Sequence, residues 1–140
     1  MTATTTRALQ VLVVDDSPTA RLLVSEALLS MARKRAVAVR VVEAGDGFEA
    51  LRQLPRASFD LVLTDINMPM LSGLELIRMI RARPEQKNLP IVAISTEREP
   101  DDARRAKEAG ADGYIGKPFE PDTLDRLLAD VLKQAWGGGV

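Results

Sequence analysis

The stretch that most limits how this chain can fold is Phe59-Asp60-Leu61-Val62-Leu63-Thr64-Asp65-Ile66-Asn67-Met68-Pro69. Leu61, Val62 and Leu63 form an unbroken apolar run, as in a strand covered on both faces, where neither side meets water. The run ends on a carboxylate, Asp65, and Met68-Pro69 then turns the chain. In an open α/β sheet, ligands bind in the crevice beyond the carboxyl ends of the strands. Asp65 therefore stands at the edge of a candidate site, on a rigid apolar support.

Other runs repeat this form. Residues 10–14 are largely apolar and end in Asp15 and Asp16; residues 90–94 end in the hydroxyls of Ser95 and Thr96; Gly113-Tyr114-Ile115-Gly116 ends in Lys117-Pro118. Residues 39–43 partly alternate, as a shorter or edge strand does. Helical segments lie between the runs. Ser17-Pro18 supplies an N-cap and a first helical proline. Leu22, Leu23, Ala27, Leu28 and Met31 follow at core-facing spacing, and Arg33-Lys34-Arg35 closes the segment as a solvated helix end. After the turn at Ala44-Gly45-Asp46-Gly47, residues 48–54 form a short helix stopped by Pro55. Ser72-Gly73-Leu74-Glu75 has the form of a capping box, with Leu74, Ile77 and Ile80 behind it. Asp101 and Asp102 open a helix lined by Ala103, Ala106 and Ala109. Small side chains bury little area, at about 25 cal/mol per Å², so this helix is expected to be loosely held. Leu124, Leu127, Leu128, Val131 and Leu132 form the stripe of a last helix.

Five strands alternating with five helices give a doubly wound α/β fold, a parallel sheet with helices on both faces and right-handed crossovers. The expected organisation is a tail at 1–8, one domain over 9–134, and a flexible glycine-rich end at 135–140 in which Trp136 is loosely packed.

Composition narrows the chemistry. The 140 residues include no cysteine and no histidine. That excludes disulfides, thiolate or imidazole metal sites, and histidine acid/base catalysis. Lys plus Arg is 19 against 20 Asp plus Glu, a net charge of -1. This near balance speaks against nucleic-acid binding through a broad basic face. No apolar run approaches the roughly 20 residues of a membrane span, and residues 1–6 lack a secretion signal, so the expected location is cytoplasmic.

Parallel strands bring their carboxyl ends to one edge. Asp15, Asp16, Asp65, Ser95, Thr96 and Lys117 should thus converge. Three neighbouring carboxylates repel one another, by about 4 kcal/mol per pair at 4 Å and an effective dielectric of 20. They call for a hard cation such as Mg²⁺, which takes carboxylates, a carbonyl and waters; zinc is a poor match without His or Cys. A metal and a lysine beside a carboxylate are the parts that stabilise a phosphoryl group in transfer.

Asp15-Asp16, Asp65-x-Asn67-Met68-Pro69 with Gly73, Ser95, and Tyr114-x-x-Lys117-Pro118-Phe119 resemble the receiver domain of bacterial two-component response regulators, over about residues 9–133. Without an output domain, the chain looks like a stand-alone chemotaxis (CheY-like) regulator. The resemblance implies a flavodoxin-like sheet of order 2-1-3-4-5. It implies that Asp65 is the phosphoacceptor, fed by a phosphohistidine on a sensor histidine kinase. Asp16, Asp65 and the Asn67 backbone carbonyl would bind Mg²⁺, with Asp15 acting largely through water. Lys117 would pair with a phosphoryl oxygen, the Ser95 hydroxyl with another, and Tyr114 would swing inward as Ser95 moves. The bond before Pro118 is commonly cis in such domains. An unidentified output protein is expected on the face of the fourth helix, fifth strand and fifth helix. Neither nucleic acid nor membrane is expected as a partner, and the only chemistry expected is self-catalysed phosphorylation and dephosphorylation. Thr96 is bulkier than the residue often found there and would narrow access for small donors; Asn67 and Glu97 point to a fairly short phospho-lifetime. Two alternatives stay open: a pseudo-receiver that binds partners without phosphorylation, and a small Mg²⁺-dependent phosphohydrolase, against which Asn67 stands because it cannot shuttle a proton.

Overall fold

The computed structural model describes residues 8–95 and 100–137. Thr96 and Glu97, residues 1–7 and the last glycines lie outside them. The strands are β1 (Leu9–Val14), β2 (Val39–Ala44), β3 (Leu61–Asp65), β4 (Ile91–Ser95) and β5 (Gly113–Gly116). The helices are α1 (Pro18–Lys34), α2 (Gly47–Gln53), α3 (Gly73–Arg81), α4 (Asp102–Ala109) and α5 (Pro121–Leu132), with 3₁₀ turns at Leu54–Arg56, Pro84–Gln86 and Lys133–Trp136. Every pairing is parallel and the order is β2-β1-β3-β4-β5, the doubly wound flavodoxin-like arrangement.

Successive strand side chains point to opposite faces, and both faces are apolar. Leu12, Val14, Val62 and Ala93 pack with Leu76, Ile77, Ile80 and Ala106. Val11, Val13, Leu61, Leu63, Val92 and Ile94 pack with Leu28, Met31, Leu124, Leu128 and Trp136. Helix starts follow local chemistry. Ser17 Oγ accepts from the Ala20 N–H at 3.2 Å. Ser72 and Glu75 form the reciprocal capping box. Gly110, at φ 119°, ends α4 in the left-handed region that glycine enters without steric penalty.

Four expectations are corrected. Leu22 and Leu23 are 53 % and 61 % exposed. The buried apolar row of α1 is Val24, Leu28, Met31 and Ala32, which keeps the expected Leu28 and Met31, and Leu23 instead lines a shallow groove with Ala27, Pro118 and Phe119. Ala103 is exposed; the inward row of α4 is Asp102, Ala106 and Ala109, at i, i+4 and i+7. Trp136 is not loosely packed but fully buried, so the packed body runs through the turn Lys133–Trp136. Arg35 is not simply a solvated helix end: it makes a two-pronged pair with Asp125, at 2.7 and 2.8 Å.

Candidate phosphoacceptor and metal site

The parallel register decides which side chains can meet. Val14 pairs with Thr64, and Thr64 with Ala93. The next residues, Asp15 and Asp65, therefore emerge side by side at the edge. Ser95 pairs with Gly116, and the Lys117 N–H donates to the Ser95 carbonyl at 2.7 Å, which brings the lysine to the same rim. The peptide bond between Lys117 and Pro118 is cis. Gly73 closes the floor. Its N–H donates to the Ile66 carbonyl at 2.8 Å, and a Cβ there would overlap the Asp65 carbonyl oxygen.

Asp15, Asp16 and Asp65 each bring a carboxylate oxygen within 4.8 Å of the others. Asp15 and Asp65 are buried and Asp16 is exposed. Lys117 Nζ donates to Asp15 Oδ2 at 2.7 Å, and the Ser17 N–H to Asp15 Oδ1 at 2.9 Å. Burial, then the nearby Asp15, pushes the Asp65 carboxyl up from 3.8 to about 6, against the pull of the Asn67 N–H and Lys117. One ammonium facing three acids leaves about two negative charges in a partly dry cleft. That donor set, all oxygen, fits a hard divalent cation.

Ser95 is fully buried. Its hydroxyl donates to Asp102 Oδ2 at 2.7 Å and accepts from Asn67 Nδ2 at 3.4 Å. The Asn67 N–H reaches Asp65 Oδ1 at 3.3 Å. Tyr114 is half-buried, in the row of Ala93 and Thr64, two positions before Ser95 and Gly116. The expected acids, Ser95 and Lys117 thus share one rim, with Asn67 beside them and Tyr114 behind.

Two site residues were not singled out from the sequence. By sequence Asp102 is only a helix-start acid, but its burial and its bond to Ser95 make it part of the site. Arg21 Nη1 donates to the Asp15 carbonyl at 2.7 Å while its Nε pairs with Glu43 at 3.0 Å, fastening the end of β1 to β2. The available signal was an arginine one turn past the Ser17 cap, with an acid at the end of the neighbouring strand.

Residues 11–129 match the family described as the response regulator receiver domain. The chain is 36 % identical over 134 residues to chemotaxis protein CheY-3 of Vibrio cholerae, covering 96 % of this chain and 99 % of that protein. A solved structure of V. cholerae chemotaxis protein CheY4 superposes with a TM-score of 0.79 at 36 % identity, over 90 % of this chain and 100 % of that one. The receiver domain of a sensor histidine kinase from Pseudomonas aeruginosa, solved with a magnesium ion coordinated in its active-site cleft, gives 0.77 at 28 % identity, over 90 % and 98 % of the two chains.

Proposed function

The chain belongs to the response regulator receiver family, and from that membership we propose that it is a phosphorylation-controlled cytoplasmic switch: Asp65 accepts a phosphoryl group from a phosphohistidine of a sensor kinase, with Mg²⁺, and the face of α4, β5 and α5 changes its affinity for an output protein. The observation that carries this is the meeting of Asp15, Asp16 and Asp65 within 4.8 Å, with Lys117 2.7 Å from Asp15 and Ser95 next along the rim.

An Asp65 carboxylate oxygen attacks phosphorus. The P–N bond to the donor imidazole breaks, its electron pair stays on nitrogen, and a P–O bond forms. Above about pH 6 Asp65 is mostly ionised, hence nucleophilic, although burial makes that charge costly. Asp16, Asp65 and the Asn67 carbonyl would hold Mg²⁺, with Asp15 beside it. When bound, the ion supplies positive charge that offsets the crowded acids and the transferred group. Lys117, whose charge acts on Asp65, would exchange its bond with Asp15 for one to a phosphoryl oxygen. Phosphorylation replaces one negative charge by roughly two and adds strong acceptors, which draws donors inward. A groove of about 500 Å³ lined by Ala103, Tyr114, Pro118, Phe119 and Thr123 lies on the face assigned to the output partner, and Tyr114 borders it.

Incubation with Mg²⁺ and acetyl phosphate tests the reading by intact mass. One added phosphoryl, absent from Asp65→Asn and on omission of Mg²⁺, is expected. Continuous turnover of external phosphate esters would support a phosphohydrolase instead. No label would support a pseudo-receiver.

A further inference from the structure

Asp102 is the first residue of α4 and is 2 % exposed. A carboxylate so deeply buried is rare unless it is paired or hydrogen-bonded. Ser95 Oγ donates to its Oδ2 at 2.7 Å, and Arg105, one turn on, lies 3.4 Å from its Oδ1. A serine hydroxyl has one proton to donate, and an ionised carboxylate can only accept. While Ser95 donates to Asp102, it cannot donate to a phosphoryl oxygen on Asp65. On the other side, Asn67 touches both Ser95 Oγ and Asp65 Oδ1. A continuous series of contacts runs Asp65–Asn67–Ser95–Asp102–Arg105, from the end of β3 to the outer surface of α4.

Resting on the switch reading above, we propose that Asp102 is a competing acceptor for the Ser95 hydroxyl: a positioning residue that holds the resting state and sets how far phosphorylation shifts the equilibrium. When the hydroxyl turns to the phosphoryl group, Asp102 loses a charge-assisted bond inside the protein. Losing that bond weakens the hold of the site on the first turn of α4. The rest of the buried row of α4 is two alanines, Ala106 and Ala109, which oppose movement weakly. The same competition places the energetic consequence of phosphorylation on α4.

The test is a double-mutant cycle. The phosphoryl mimic beryllofluoride, with Mg²⁺, is titrated calorimetrically into the wild type, Asp102→Asn, Ser95→Ala and the double variant. Loss of a competing charge-assisted bond should tighten binding to Asp102→Asn by about tenfold. In the Ser95→Ala background the same substitution should alter affinity by less than about twofold, since there is no hydroxyl to release. Asp102→Ala serves as a second variant with the same expected direction. Weaker or unchanged binding to Asp102→Asn, or an equal change in both backgrounds, overturns the proposal, as does failure of both Asp102 variants to give the wild-type circular dichroism. A wild type that binds no beryllofluoride would remove the switch reading and this proposal together. A wild type that binds, beside variants that do not tighten, removes the proposal alone.

Discussion

At Asp65 the polypeptide holds an acid where water would rather keep it. The folded protein binds its proton up to about pH 6, the unfolded chain only to about 3.8. Below about pH 4 the group is protonated in both states and has no effect on stability. Between about 4 and 6 the folded state binds more protons, so stability falls as pH rises; above 6 the full loss is present. That loss is at most about 3 kcal/mol. Asp65→Asn keeps the shape without the charge. Its melting temperature should exceed that of the wild type at pH 7.5, and the gain should vanish near pH 4. Adding Mg²⁺ at pH 7.5 should stabilise the wild type, by about 2.7 kcal/mol at a concentration 100 times the dissociation constant, and Asp65→Asn much less. An equal response of both proteins would mean the ion binds elsewhere. Gly73 is fixed by contact, since a side chain there meets the Asp65 carbonyl. Gly73→Ala should cost about 1–3 kcal/mol in urea unfolding, and should slow phosphoryl uptake from acetyl phosphate by displacing Asp65.

Among the elements, the C-terminal 3₁₀ turn is the one whose role is not legible in composition. Trp136 is fully buried against α1 and α5, and its Nε1 donates to Asp125 Oδ1 at 2.9 Å. Arg35 grips the same carboxylate, bonds the Trp136 carbonyl at 3.0 Å, and lies 5.8 Å from the indole centroid. Trp136→Ala should cost about 3–5 kcal/mol, read as a lower urea midpoint. Arg35 holds the Asp125 carboxyl below its ordinary value, so its stabilisation is present above pH 4 and fades as pH falls further. Asp125→Asn should therefore melt below the wild type at pH 7, with the gap closing toward pH 3. The strands were legible because an apolar run ending in a functional side chain has few foldings. The first turns of α1 were not: Leu28 and Met31 lie inward as expected, but Leu22 and Leu23 are as apolar as Leu28, and only packing puts Val24 inward in their place. Trp136 was hidden by the glycines after it, which read as a loose end although Arg35 and Asp125 anchor the ring. Asp102 was visible as a helix-start acid, but its partner depends on where β4 ends in space.

The molecule as a whole is asymmetric about its sheet. One face is clamped: α1 and α5 bury Leu28, Met31, Leu124 and Leu128 around Trp136. On the other, α3 is well anchored by Leu74, Leu76, Ile77 and Ile80, while α4 rests on Ala106, Ala109 and the buried Asp102. Local opening follows buried apolar contact, so α4 amides should exchange faster than those of α3 or α5 in the resting protein. The site touches both faces, through Lys117 at the end of β5 and through Ser95 at the root of α4. A charge added at Asp65 acts on both, and displacement goes to the element held least. With beryllofluoride and Mg²⁺, amide exchange should therefore change most across residues 100–118 and less over residues 121–136. Exchange that changed first around Trp136 and left α4 untouched would place the responding surface on the opposite side of the sheet.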